Sequence, residues 1–373
     1  MIRVVAFGAG VVVVASVALS AIRTVIVPRS QRTAIGAFVF RGWRRVFALL
    51  AAERRGYEVR DRVMALYAPV ALVSMVVAWL ALVLVGYGAI YWAFGYGDGS
   101  VGEAMWVSGS SLLTLGTAPL TETGIRVVAF TEAVFGLGLV ALMISFLPAM
   151  YAAFSRREQL VGLLEVRAGS PPSALGWLIR FHRIGWTHDL AEEWARWENW
   201  FVDIEETHMT YPALVWFRSP QPDRSWVVAA GTVLDAASLW LAAVDHPPDP
   251  RAGLCIRAGY VALRRIADFF GIAHERDPGP HDPISIARTE FDEVVDRMAE
   301  AGIPIRRDRE RAWRDFAGWR VNYDTVLLRL AELTLAPYAP WTSDRSAVDH
   351  APPRVSRWGL GRRRSVHSTS ITS

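Results

Sequence analysis

Three long stretches of this chain carry no charged residue: Val4 to Ile22, Val63 to Gly97 and Ala133 to Ser155. Each is long enough to cross a hydrocarbon core, which takes about 20 apolar residues in helical form. Only structures that satisfy their own backbone hydrogen bonds cross lipid, so helices are expected there. The 52% hydrophobic composition is thus concentrated rather than spread. The chain reads as an integral membrane protein with three spanning helices.

From Arg156 onward the residues turn to mixed charge, Trp-rich amphipathic segments and Pro-marked turns, enough chain for a second core. The net charge of +4 comes from Arg alone, since the chain has no Lys, and it is not gathered into one basic patch. Nucleic acid is therefore not implied as a partner. The single Cys255 excludes an intrachain disulfide and a multi-Cys metal site.

Charge also sets an expected topology. The linker Arg29 to Arg62 carries nine Arg (29, 32, 41, 44, 45, 54, 55, 60 and 62) against three acids, Glu53, Glu58 and Asp61. Short arginine-rich loops stay in the cytosol, so the first helix reads as an uncleaved anchor and the domain after Arg156 as cytosolic. Within the linker, Phe38, Phe40, Trp43, Phe47 and Leu50 interleave with Arg41, Arg44 and Arg45. That pattern suits a helix lying on the inner membrane face, or a charged helix packed on the cytosolic domain.

Between the second and third apolar stretches, Glu103 to Leu113 is too short to cross and return as helix, and it runs into Thr114, Leu115, Gly116, Thr117, Ala118 and Pro119. Non-helical backbone at membrane depth is tolerated where protein buries it or where it lines a water-filled path. Its carbonyls, ringed from several subunits, can replace a cation's water shell, and Thr114 adds a hydroxyl. Gly116 is free to take left-handed dihedrals. The preceding helix points its partially negative end at the same place.

On these residues the chain resembles the pore domain of potassium channels, whose filter reads Thr-Val-Gly-Tyr-Gly-Asp after a pore helix. Thr114, Leu115 and Gly116 match the first three positions without a gap, Trp106 falls at a frequent pore-helix Trp, and Gly138 at the hinge glycine of the inner helix. The resemblance covers about Val63 to Arg157. It departs at Thr117, Ala118 and Pro119, which stand for Tyr, Gly and Asp. A left-handed Ala118 would cost about 1 to 2 kcal/mol per subunit, which sets potassium selectivity apart from cation permeation. Gly136, Gly138 and Pro148 on the third helix read as gating joints under the resemblance, or as sites of close helix packing. Glu132 reads as a cation-enriching charge at the mouth or a solvated interfacial one.

The C-terminal domain shows helical periodicity with breaks at Ser170 to Ser173, Ser219 to Asp223, His246 to Pro250, Asp277 to Pro283 and Gly302 to Ile305, predicting seven to nine helices. Phosphate loops and nucleophile elbows are absent, so no enzyme and no cofactor are expected. Glu205 and His208 form half of a di-iron motif whose second half is missing, so no metal site is expected and the acidic run is read as pairing with Arg180, Arg257 or Arg264. Trp194, Trp197, Trp200 and Phe201 share one helix face. The Pro-flanked run Tyr211 to Pro220 reads as core, or as a docking or ligand-lining segment.

The expectation is an all-α membrane protein: an N-terminal transmembrane helix over 1–28, a basic linker over 29–62, and a potassium-channel-like pore module over 63–155. Within the module lie an outer helix 63–94, a pore helix 102–113, a filter 114–119 and an inner helix 125–155. An all-α cytosolic domain over 156–340 and a disordered basic tail over 341–373 follow. The implied function is a multi-pass cell-membrane cation channel, assembled as a homotetramer, passing potassium or also sodium, with a cytosolic ligand unidentified. The alternative is a non-conducting membrane-anchored signalling or scaffold protein that uses the pore fold to oligomerise.

Overall fold

The computed structural model describes residues 1–27, 33–51, 56–120, 122–186 and 189–345, and among these the chain is helical, with one isolated antiparallel bridge between Val244 and Ile305. Part of the arginine-rich linker (Arg29, Arg32, Glu53, Arg54 and Arg55) and the tail from residue 346 lie outside the described residues.

Four helices are long and apolar enough to span a membrane. They are α1 (Ile2–Ala21, continued by a π turn to Ile26), α4 (Tyr67–Ala93), α6 (Thr123–Ala168) and α9 (Trp226–Ala243). Protein covers only 22%, 33% and 28% of the apolar windows of the first three, against 94% of α9. Their sides are therefore left open to lipid, whereas α9 is enclosed by its neighbours as a domain core. The three charge-free stretches of the sequence are the three open helices.

α1 crosses α4 at small residues: a Cβ on Gly10 would lie 2.5 Å from the Gly86 carbonyl oxygen. Such residues let membrane helices approach closely, and the buried Trp79 indole donates to Ser20 (3.2 Å) across the same contact. The linker forms α2 (Ala34–Leu50), capped by Thr33, and α3 (Tyr57–Ala65). A break at Leu66 separates α3 from α4, so the second apolar stretch does not begin as one rod at Val63. α2 lies along the end of α4, where the Trp43 indole donates to Ser74 (2.8 Å) and the Tyr67 hydroxyl to the Phe40 carbonyl (3.0 Å).

α6 runs without interruption for 46 residues through Pro148. The change of composition at Arg156 marks a change of surroundings and not the end of a helix, which comes only at Gly169 (φ +92°). Among the described residues six further helices build the C-terminal bundle around α9: α7 (Ala174–Arg183), α8 (Leu190–Thr210), α10 (Pro250–Phe270), α11 (Arg288–Glu300), α12 (Arg309–Arg320) and α13 (Asp324–Thr334). All five expected breaks fall between them. Trp194, Trp197, Trp200 and Phe201 are buried on one face of α8, and Cys255 is buried.

Buried charge in the bundle is paired, as burial requires. Arg320, fully enclosed, bonds Asp235 (2.5 Å), Asp324 (2.7 Å) and the Trp341 carbonyl (2.7 Å). Trp341 is buried and Arg345 pairs with Glu290, so the expected disorder does not begin at 341. The acidic face of α8 pairs differently from expectation: Asp203 meets Arg156, and Glu205 meets Arg265. Arg180 instead donates to the Val166 carbonyl, and Arg264 to Asn322.

Candidate functional site

Between α4 and α6 lies α5 (Val101–Leu112), 12 residues long. At 1.5 Å per residue it is about 18 Å long, too short for a bilayer core of about 30 Å. Ser100 caps it, accepting from the Glu103 amide. Its far end reaches deep: a Cβ on Gly136 would lie 2.6 Å from Leu112 Cδ1 and 2.8 Å from the Leu112 carbonyl oxygen. Gly136 sits 13 residues into α6, about 20 Å below its start. Residues 113–120 follow as non-helical chain, and α6 starts at Thr123.

α5 ends in a left-handed turn. The Thr114 amide donates to the Ser111 carbonyl (3.1 Å) and the Leu115 amide to that of Ser110 (2.8 Å), a Schellman closure with Thr114 at φ +54°. Gly116 follows at φ +67°, with the freedom the sequence assigns to it. Ala118 is not in the left-handed region, so the outer segment does not take the resembling filter's geometry there, as the cost at an alanine argues. The conformational cost of about 1 to 2 kcal/mol falls on Thr114 instead, whose hydroxyl donates to the Leu113 carbonyl (2.8 Å).

The hydrogen bonds of this non-helical segment are one-sided. Ser110 Oγ accepts from the Thr117 amide (3.0 Å), the Ala118 amide (3.3 Å) and the Thr117 hydroxyl (3.1 Å). Four of the five amides from Thr114 to Ala118 are thereby turned toward α5. Among the described residues no donor reaches the carbonyl oxygen of Thr114, Leu115, Gly116, Thr117 or Ala118. The next two carbonyls are satisfied, Pro119 by the Tyr96 hydroxyl (3.0 Å) and Leu120 by Arg126 (2.8 Å). Five successive carbonyls on a largely exposed segment thus have no protein donor among the described residues.

Behind the segment is a polar contact the sequence does not predict. Glu132 is fully buried, neither at a mouth nor solvated, and accepts from Ser108 (2.5 Å) and Tyr91 (3.0 Å). Ser108 Oγ also lies 2.9 Å from the Leu84 carbonyl, so one carboxylate joins α4, α5 and α6. The legible signal was three serines, 108, 110 and 111, in an apolar helix, because polar groups inside a membrane must find partners.

The other expected site residues separate. Trp106 is 58% exposed on α5, away from the segment. Gly136 is a packing contact against Leu112. Gly138 has open space where a Cβ would be, and it lies with Pro148 on the uncovered face of α6. That face is an apolar stripe, Phe130, Val134, Leu137, Ile144 and Tyr151, each more than 60% exposed.

α6 also carries the link to the bundle. Arg157, buried, donates to the Leu214 (2.8 Å) and Phe217 (2.7 Å) carbonyls and faces His208 Nε2 at 3.3 Å. His208 therefore accepts and is neutral; burial and the neighbouring guanidinium hold it well below its ordinary value. Among the described residues no group of three metal-binding side chains occurs. Arg218 clamps the other side, donating to Asp61, the Tyr57 hydroxyl (2.9 Å) and the Thr334 (2.6 Å) and Leu335 (2.8 Å) carbonyls. The run from Tyr211 is therefore the seam between bundle and membrane helices.

No protein-family model, curated protein or solved structure matches this chain.

Proposed function

We propose that this protein is a subunit of a cation channel of the potassium-channel type, assembled as a homotetramer, with a helical cytosolic domain that regulates it. The observation that carries the reading is the row of free carbonyls from Thr114 to Ala118, behind amides tied to Ser110. Lipid cannot accept such a segment. Four copies round one axis give those carbonyls a shared water-filled path, where they replace the hydration shell of a monovalent cation. The carbonyl end of α5 favours positive charge at the same place. The exposed stripe of α6 then faces the axis or a neighbouring subunit, and Gly138 and Pro148 are where that helix can bend.

The arginine-rich linker places α2, α3 and the C-terminal bundle in the cytosol. A second reading, a scaffold that oligomerises through this fold without conducting, is favoured by one observation: Thr117, Ala118 and Pro119 lack the side chains and glycine of the outer filter. Purified protein in planar bilayers, with potassium, sodium and chloride exchanged in turn, separates the two. Cation current from an assembly of four subunits by native mass supports the channel; a tetramer silent under every ionic condition supports the scaffold, and a stable monomer removes both.

A further inference from the structure

A large cleft among the described residues lies apart from the Thr114–Ala118 segment. It has a volume of about 500 Å³ and lies where α2, the start of α4, the middle of α6, the seam segment and the end of α10 converge, within the range of small-ligand pockets, about 300 to 1,000 Å³. Its walls are apolar: Phe40 of α2, Leu72 and Met75 of α4, Phe146 of α6, Trp216 of the seam and Phe270 of α10. Arg41, Arg44 and Arg45 line it as well, and no Asp or Glu does.

Arg44 is the informative one. Its guanidinium is partly buried and lies over the Trp216 ring at 5.0 Å, with no carboxylate bonded to it among the described residues. The loss of water, uncompensated by an acid, pushes its acidity up relative to a free arginine. Other buried arginines among the described residues are paired with acids, Arg320 with two aspartates, Arg157 with Glu158 and Arg218 with Asp61. A cation left uncompensated beside an apolar cleft calls for an anion supplied from outside.

We infer that this cleft binds an anionic phospholipid, one acyl chain among Phe40, Leu72, Met75 and Phe146 and the phosphate at Arg44 and Arg45. The walls select the source: three of the four chain contacts belong to α4 and α6, helices with sides open to the bilayer, so a chain enters laterally from the leaflet on the arginine-rich side. Basic residues at that depth attract acidic headgroups. Trp216 and Phe270 close the far side, so the lipid bridges membrane helices and bundle. The inference needs the chain to sit in a membrane and does not require it to conduct, so it stands or falls apart from the channel reading.

The test is native mass spectrometry of the full-length protein released from nanodiscs of equimolar phosphatidylglycerol and phosphatidylcholine. Wild type is expected to retain phosphatidylglycerol over phosphatidylcholine by about tenfold or more, since each guanidinium near the surface contributes. The Arg44→Gln/Arg45→Gln variant should retain the two lipids equally. Met75→Trp fills the cleft and keeps the charges, and should retain neither. Arg45→Gln alone, which leaves the Trp216 stack intact, should give an intermediate preference and covers the case in which the double variant does not fold. Equal retention by wild type, no retained lipid, or an undiminished preference in the charge variants overturns the inference. Retention of a single-chain fatty acid in place of phospholipid overturns the assigned source.

Discussion

The Ser110 hydroxyl oxygen lies 3.0 Å from the Thr117 amide nitrogen, so a side chain in the last turn of α5 sets the position of a segment seven residues later. Ser110→Ala leaves the Thr117 and Ala118 amides without an acceptor, at about 1 to 3 kcal/mol for a buried donor. The expected outcome is a tetramer that persists by native mass while unitary current falls at least about tenfold. Undiminished current would mean the segment is held by something else.

Gly116 and Gly136 should fail in different ways. At Gly116 a methyl group meets nothing within 4 Å but the backbone is at φ +67°, so Gly116→Ala should abolish current and cost about 1 to 2 kcal/mol per subunit as backbone strain, with no packing clash. At Gly136 the methyl would sit 2.8 Å from the Leu112 carbonyl oxygen. Gly136→Ala should therefore lower thermal stability, by about 1 to 3 kcal/mol for overpacking. Gly138→Ala should leave stability unchanged, and any effect it has on open probability would identify that position as a bend.

Permeability should favour cations over chloride but discriminate weakly between potassium and sodium, because the outer residues Thr117 to Pro119 depart from the resembling filter. Ala118 is not strained, so Ala118→Gly alone should leave the potassium-to-sodium ratio unchanged. Only the double variant Thr117→Tyr/Ala118→Gly, which restores both outer positions, should raise it. Reversal potentials under bi-ionic conditions measure both; a rise in the single variant would show that the alanine does cost free energy.

His208 is neutral in the fold because it is buried beside Arg157, with its folded value well below the ordinary 6.5. Below about 6.5 the unfolded chain binds a proton at this residue that the native state refuses. Stability should therefore fall as pH drops through that value, by up to about 1.4 kcal/mol per unit, and return as pH rises. Melting curves in detergent across this range test it, and His208→Gln should flatten the slope.

Much of this architecture was legible because lipid imposes simple rules. A span of about 20 uncharged residues has few alternatives to a helix, and a segment of Glu103 to Leu113's length between two such spans must turn back. What stayed hidden depended on side chains meeting across helices. Glu132 looks like a mouth residue along the sequence, since Arg126 and Glu122 precede it in the same helix. Only the packing of Tyr91 and Ser108 against it shows that it is enclosed. The filter alignment argues from cost that Ala118 does not go left-handed, but it gives no sign that the closure of α5 puts Thr114 there. The Pro-flanked run from Tyr211 drew notice for its apolar content, but its role as a seam depends on Arg157 and Arg218, which come from distant parts of the chain.

The uninterrupted course of α6 has a mechanical consequence. Its 46 residues span about 69 Å at 1.5 Å per residue, and the same rod that packs against the Leu112 turn is gripped by the bundle through Arg157. Helical hydrogen bonds leave no slack along such a rod. A small turn of the bundle about the α6 axis is delivered to the level of Gly136 as torque, with Pro148 the one point on the way where a backbone hydrogen bond is missing. The bundle's second tie takes a different course: Arg218 holds Asp61 of α3, and α3 and α4 meet at Leu66 as two shorter helices, so α6 alone carries one unbroken helix from bundle to the Leu112 turn.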